Sequence, residues 1–156
     1  MEKIFYYKFP VGEVGIIEEN KKISWVFFRH RADRPKHRDE LALAETPLIK
    51  KAAIQLTEYF EHKRKNFDLP LLLRGTDFQL AVWKSLQKIP YGETRSYKEI
   101  AAMAGNIKAC RAAGLANNRN PIAIIIPCHR VIGSNGSLTG YGGGLDIKQY
   151  LLCLET

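Results

Sequence analysis

Two short boxes, each a hydroxyl residue followed three positions later by Glu or Gln, govern the second half of this 156-residue chain. In Thr76-Asp77-Phe78-Gln79 and Ser96-Tyr97-Lys98-Glu99, the first side chain can accept from a backbone N–H of the opening turn. The fourth side chain can reach back to the cap, so each box starts a helix. The first helix is expected through Leu86, with Phe78, Val82 and Leu86 on one side; the second runs to about Ala104. Gly105-Asn106 breaks it, and Lys108–Asn117 forms another helix of small residues. Two short helices joined at a glycine turn have the outline of a helix-turn-helix. The first third reads differently: Lys3–Phe9, Gly12–Glu18 and Ile23–Arg29 are short runs of aromatic and β-branched residues separated by turn signals, an antiparallel meander. Between the two regimes, Thr46-Pro47 caps and opens a helix. Its apolar face is Ile49, Ala52, Ala53, Leu56, Tyr59 and Phe60, and the cluster Lys63-Arg64-Lys65 is expected to end it. Leu69–Leu73 leads to Gly75, a plausible boundary. The expected fold is α+β: a small N-terminal antiparallel sheet with a helix (residues 1–74), then a mainly helical C-terminal domain containing the helix-turn-helix (75–156).

Charge narrows the class of partner. Lys plus Arg is 24 against 16 acids, a net charge of +8, which suits a polyanion. No acid occurs between Glu99 and Asp146, leaving Lys108, Arg111, Arg119 and Arg130 unopposed. A surface built from that stretch would accept phosphates; an unspecific basic surface is the plainer reading. Arg111 is the one long projection on the helix after Lys108, which favours docking of that helix on nucleic acid over burial in a core. The polar loop RHRADRPKHRDE holds five cations, with His30 and His37 at irregular spacing, and reads as solvated rather than metal-binding. Three cysteines without a disulfide spacing, no signal-like N-terminus and no apolar run near membrane-spanning length suggest a reduced, cytoplasmic setting.

The chemistry centres on IAIIIPCHRVIGSNGS. A free thiol is only a few per cent thiolate at neutral pH, so a nucleophilic Cys needs a base or a cation. His129 beside Cys128 could supply either. On a strand, adjacent side chains point to opposite faces, so the two would meet only through a turn or a bridging water. An inert core cysteine is the alternative. Cys110 and Cys153 have no nearby His and read as packing residues, and no paired Cys or His spacing suggests zinc. The glycine-rich stretch Gly133–Gly144 lacks the strand context and Lys-Ser/Thr ending of a phosphate loop. A last helix opens at Asp146, with Ile147, Tyr150, Leu151 and Leu154 as its apolar face.

Taken together, GTDFQLAVWKSL, PYGETRSYKEIAAMAG, RNPIAIIIPCHRVIGSNGSLTGYGGGL and the closing KQYLL resemble the O6-alkylguanine-DNA alkyltransferases, or methylated-DNA–protein-cysteine methyltransferases. The resemblance implies a DNA repair protein that flips O6-alkylguanine out of duplex DNA. The alkyl group would pass irreversibly to Cys128, once per molecule and without a cofactor. It implies His129 as the base acting through a water, Glu155 as the residue polarising His129, Asn120 as a brace of the active-site loop and Tyr97 as a donor to the guanine ring. It implies Arg111 as the finger entering the base stack in the minor groove, with Lys108, Ala109, Ala112 and Arg119 on the same DNA-facing surface. Val131, Tyr141, Gly142, Gly143 and Lys148 would line or order the substrate pocket. O4-alkylthymine is a further candidate substrate, and a monomer is expected. Residues 1–109 contain no cysteine, so the zinc site of some family members is not carried over. A non-catalytic module that binds alkyl lesions is the alternative; it would not need Cys128.

Overall fold

The computed structural model describes residues 1–32 and 34–156; Asp33, one of the charges of the polar loop, lies outside them. Strands β1 (Glu2–Phe9), β2 (Gly12–Glu19) and β3 (Lys22–Phe28) form the expected antiparallel meander. A two-residue strand β4 (Ala42–Leu43) pairs parallel to β1, giving the order β3-β2-β1-β4. Nothing in two residues of that composition announces a strand; its pairing depends on where the 30–40 loop returns the chain. Helix α1 (Pro47–Phe60) is capped as read, with the Thr46 hydroxyl accepting from the Ile49 N–H at 3.1 Å. It lays Ile49, Ala52, Leu56 and Tyr59 on the sheet, all fully buried. Ile49 and Leu56 each contribute about 1.5–3 kcal/mol of apolar burial.

The end of α1 differs from the expectation. The helix stops at Phe60, and Lys63-Arg64-Lys65 lies beyond its last turn. His62 takes φ +62°. Its N–H reaches the Tyr59 carbonyl at 3.2 Å, and the Lys63 N–H reaches that of Glu58 at 2.8 Å. This is a Schellman stop, which closes the last carbonyls by backbone geometry and does not depend on charge.

The second half packs α2 (Asp77–Leu86), α3 (Tyr97–Met103) and α4 (Cys110–Asn118) into the helical layer, with α3 against α4 as the helix-turn-helix. Both capping boxes are complete. Short strands β5 (Arg95–Ser96) and β6 (Val131–Ile132) pair in parallel. Helix α5 (Leu145–Leu154) closes the chain and departs from its expected face: Lys148 is buried with Ile147 and Leu151, while Tyr150 is exposed.

The two halves share one apolar core, running from Val14 and Ile16 through Tyr59 to Trp83, Ile126 and Leu151. The outer edge of β3 pairs once within the N-terminal half and once across to the second. Ile23 donates to Pro70 O and its carbonyl accepts from Leu72 N, each at 2.8 Å. Val26 donates to Pro121 O and accepts from Ala123 N, each at 2.9 Å. An otherwise bare strand edge is thereby covered, and the segment carrying Cys128 is anchored to the N-terminal sheet.

Candidate active site

Residues 120–131 form an unbroken buried segment. It turns sharply, with Ile124 at φ +69°, a region that costs a β-branched residue energy and that the surroundings must enforce. Asn120 does much of the enforcing. Its Nδ2 donates to Ile126 O at 2.8 Å and Ile122 O at 3.3 Å, and its Oδ1 accepts from Ile122 N at 3.0 Å. One side chain therefore closes the whole turn. Asn117, which sequence reasoning passed over, donates from Nδ2 to the Cys128 carbonyl at 3.3 Å.

Cys128 is 5% exposed and opens a single 3₁₀ turn, Cys128–Arg130. The strand assumed for it is absent until Val131. In a 3₁₀ turn successive side chains are a third of a turn apart, not on opposite faces. Of the other two thiols, Cys110 and Cys153 are exposed, so neither is the packing residue that was expected. Both sit on the outer faces of amphipathic helices, where the sequence offered no local cue.

His129 is fully buried. Its Nε2 meets Glu155 Oε2 at 2.7 Å, and Nδ1 has no hydrogen-bond partner among the described residues. Burial pushes the His129 pKa down, against the upward pull of Glu155, so the ring is neutral near pH 7. A neutral ring that donates Nε2–H to a carboxylate holds an open lone pair at Nδ1. Glu155, at the end of α5, is also held by Arg130: Nε to Oε1 at 2.8 Å and Nη2 to Oε2 at 3.0 Å. Burial pushes the Glu155 pKa up, but hydrogen bonds from His129, Arg130 and Tyr59 outweigh it and hold the carboxyl well below its usual range. With His129 neutral, Arg130 is the standing counter-charge. Its remaining Nη1 donates to Ile89 O at 2.7 Å. Arg130 was counted among the unopposed surface cations; it is instead a buried member of the site, and its opposing acid comes from 25 residues downstream.

Tyr97, half-buried at the start of α3, donates to Thr139 O at 2.6 Å. Lys148 donates to the same carbonyl at 2.8 Å and to Gly140 O at 3.3 Å. Burial lowers the Lys148 pKa to about 8, opposed by Cys128. A thiolate at Cys128 is close enough to raise both Lys148 and Tyr97. Lys148 therefore orders the 139–140 loop from beneath. The next residues of that loop pack on the N-terminal sheet: the rings of Tyr141 and Phe28 lie 6.2 Å apart. A Cβ on Gly143 would come within 2.6 Å of Phe28, so only glycine permits that approach. Val131 and Gly143 are buried, and Gly142 lines a cleft of about 490 Å³ with Trp25, Arg34 and Arg119.

Not all the expected residues converge. Lys108, Arg111, Ala112 and Arg119 are exposed and Ala109 half-buried, on or flanking α4. Arg111 is thus outside any core. Trp83 supports this helix from behind, donating Nε1–H to Ala116 O at 2.9 Å. No group of three or more His, Cys, Asp or Glu side chains placed to hold a metal occurs among the described residues.

Residues 77–156 match the profile of the 6-O-methylguanine DNA methyltransferase DNA-binding domain, and residues 4–73 match that of the same protein's ribonuclease-like domain. The chain belongs to the 6-O-methylguanine DNA methyltransferase family. Its enzyme class is that of a methylated-DNA–protein-cysteine methyltransferase, a DNA-binding repair protein. The relative of that name from Methanosarcina barkeri is 67% identical over 149 residues, covering 94% of this chain and 92% of that one. The constitutive enzyme of Bacillus subtilis is 46% identical over 155 residues, covering 94% and 90%. Among solved structures, the Mycobacterium tuberculosis O6-methylguanine methyltransferase superposes with a TM-score of 0.92 at 44% identity, covering 99% and 93%. The M. tuberculosis protein in complex with DNA gives 0.90 at 44% identity, covering 98% and 92%.

Proposed function

We propose that this protein reverses O6-alkylguanine damage by moving the alkyl group onto Cys128. The observation that carries the reading is the buried His129, whose Nε2 is spent on Glu155 and whose Nδ1 remains open. Nδ1 takes the thiol proton, through a water, and Sγ attacks the alkyl carbon. The C–S bond forms as the C–O bond breaks, and the electron pair passes to the guanine ring. Tyr97 donates to that ring as charge grows on it. In the free protein the single Tyr97 hydroxyl proton is given to Thr139 O, so Tyr97 exchanges partners when the base arrives. Lys148 holds the same carbonyl and keeps the loop in place. The thioether is not hydrolysed, so each molecule acts once.

Reaching the alkyl carbon in duplex DNA requires the base to be rotated out, at a cost of a few kcal/mol. Arg111 fills the gap in the stack, and the small side chains Ala109 and Ala112 let α4 sit in the minor groove, with Lys108 and Arg119 toward the backbone. Val131, Tyr141, Gly142 and Gly143 line the pocket. In this reading residues 75–156 bind DNA and accept the alkyl group, and residues 1–74 support them. The protein works as a monomer in the cytoplasm, on DNA, and O4-alkylthymine is a second substrate. No helix among the described residues is long and apolar enough to cross a membrane.

The test is peptide mass spectrometry after mixing with a duplex carrying one O6-methylguanine. One methyl group on the Cys128 peptide, capped at one per protein and absent in Cys128→Ala, is the expected result. Lesion binding without mass change would replace this reading by that of a non-catalytic recognition module.

A further inference from the structure

Glu155 has a donor that the C-terminal half does not supply. Tyr59 of α1 is fully buried, and its hydroxyl donates to Glu155 Oε2 at 2.5 Å across 96 residues of sequence. Oε2 is the same oxygen that meets His129 Nε2 at 2.7 Å. The phenol is held rigidly: its ring packs on Phe60, Phe67 and Tyr91 at centroid distances of 5.4, 5.6 and 6.1 Å. We propose that Tyr59 is a positioning residue for the alkyl transfer, sharing the Glu155 oxygen with His129 and thereby setting the basicity of Nδ1 from the N-terminal half. The proposal rests on the reading of Cys128 and His129 given above.

The argument is one of shared charge. Every group facing the carboxylate is a donor, a cation or a neutral ring. They are Tyr59 from α1, His129 and Arg130 from the 3₁₀ turn, and the Gly92 N–H at 3.4 Å from the turn after α2. The Tyr91 ring lies beneath Arg130 and beside Lys65, and the Lys148 charge reaches His129 from α5. Gly92 sits at φ +83°, and a Cβ there would lie 3.1 Å from the Glu155 carbonyl oxygen, so the turn closes on α5 only as glycine. Removing the Tyr59 hydroxyl leaves the Arg130 fork in place and cuts the donors on Oε2 from three to two, His129 Nε2 and Arg130 Nη2, so more of its charge density falls to His129. The His129 Nε2 bond strengthens, and the imidazolium becomes more favourable. Burial and the nearby carboxylate push the Tyr59 phenol far above its ordinary pKa, so it stays a donor across the working range. Residues 1–74 are then part of the reaction as well as its support.

The experiment is the single-turnover rate of methyl transfer from an O6-methylguanine duplex between pH 5 and 9, for the unsubstituted chain and Tyr59→Phe. Phe keeps the ring packing and removes only the hydroxyl. The rate should fall on the acid side as His129 becomes protonated. In Tyr59→Phe that limb should move up by about half to one pH unit, a loss of about three- to tenfold at the pH of the limb, with little change on the alkaline plateau. Superimposable profiles, or a uniform loss at every pH, overturn the proposal, since a merely structural role lowers the rate without moving the limb. In the unsubstituted chain the Tyr59 hydroxyl proton should appear by NMR as a slowly exchanging resonance that shifts as His129 titrates. Indifference to that titration also overturns it. If the unsubstituted chain transfers no methyl group at all, the failure is that of the reading above and is recognisable as such.

Discussion

Glu155→Gln keeps the shape of the side chain and removes its charge, and the structure sets the cost. Arg130, His129, Tyr59 and the Gly92 N–H all aim at the carboxylate as donors. A carboxylate can accept from all of them; an amide can accept on one oxygen only, and its NH₂ must face at least one donor. Arg130 is then a buried cation with no counter-ion. Breaking a buried pair in this way costs about 3–5 kcal/mol. The position of the titration agrees: the carboxyl is lowered to about 2 from an ordinary 4.5, which corresponds to about 3 kcal/mol. Because the folded pKa is depressed, that stability is present above the unfolded value and is lost as pH falls from about 4.5 toward about 2. His129 acts in the same direction at higher pH. Its folded pKa is also depressed, so the unfolded chain takes up a proton below about 6.5 that the folded chain resists. Urea denaturation followed by circular dichroism should therefore show the variant about 3–5 kcal/mol less stable at pH 7. Stability of the unsubstituted chain should decline from about pH 6.5 downward, and the part of the decline below pH 4.5 should be smaller in the variant by the share Glu155 contributes, since Glu13, Glu19, Glu99 and Asp146 are also held below their usual range. Adding Arg130→Met should recover a large part of the loss, because the unpaired cation is gone. A loss under about 1 kcal/mol, or a double variant no better than the single, would refute the reasoning.

Asn120→Ala leaves the Ile122 N–H without an acceptor, while Ile122 O and Ile126 O keep the Ile126 and Cys128 N–H groups. A loss of about 1–3 kcal/mol is expected in the same denaturation assay, with slower methyl transfer from the loosened turn. Titration with a thiol-disulfide reagent should modify the exposed Cys110 and Cys153 rapidly and Cys128 slowly until the chain is unfolded; fast modification of all three thiols would contradict the burial of Cys128. Arg111→Ala, at an exposed position, should change stability by no more than about 0.5 kcal/mol. It should slow transfer from duplex DNA but not from a free O6-alkylguanine base, since only the duplex requires flipping. Equal slowing in both assays would remove Arg111 from the flipping step.

What was legible beforehand shares one property. The capping boxes at Thr76 and Ser96, the Thr46-Pro47 start and the aromatic and β-branched runs of β1 to β3 are each written in consecutive residues, because hydrogen bonds within a turn and strand preference act over a few positions. The Cys128-His129 pair was visible for the same reason. The errors share the opposite property. Arg130 looked like a free cation because its partner is Glu155, and the apolar face read for α5 left out Lys148, which packing buries where it meets two loop carbonyls. Helix α1 ends at a left-handed His62 that composition does not mark. Tyr59 read correctly as core packing, yet its hydroxyl reaches the last turn of the chain.

The sequence by itself determined where the helices begin, which faces are apolar and which thiol has a histidine beside it. The tertiary structure alone decided which oxygen each buried donor meets, and so which of those residues form one charged network. The physical reason is that a buried ionisable group must find a partner wherever packing places one, and packing brings together positions that the chain itself keeps far apart.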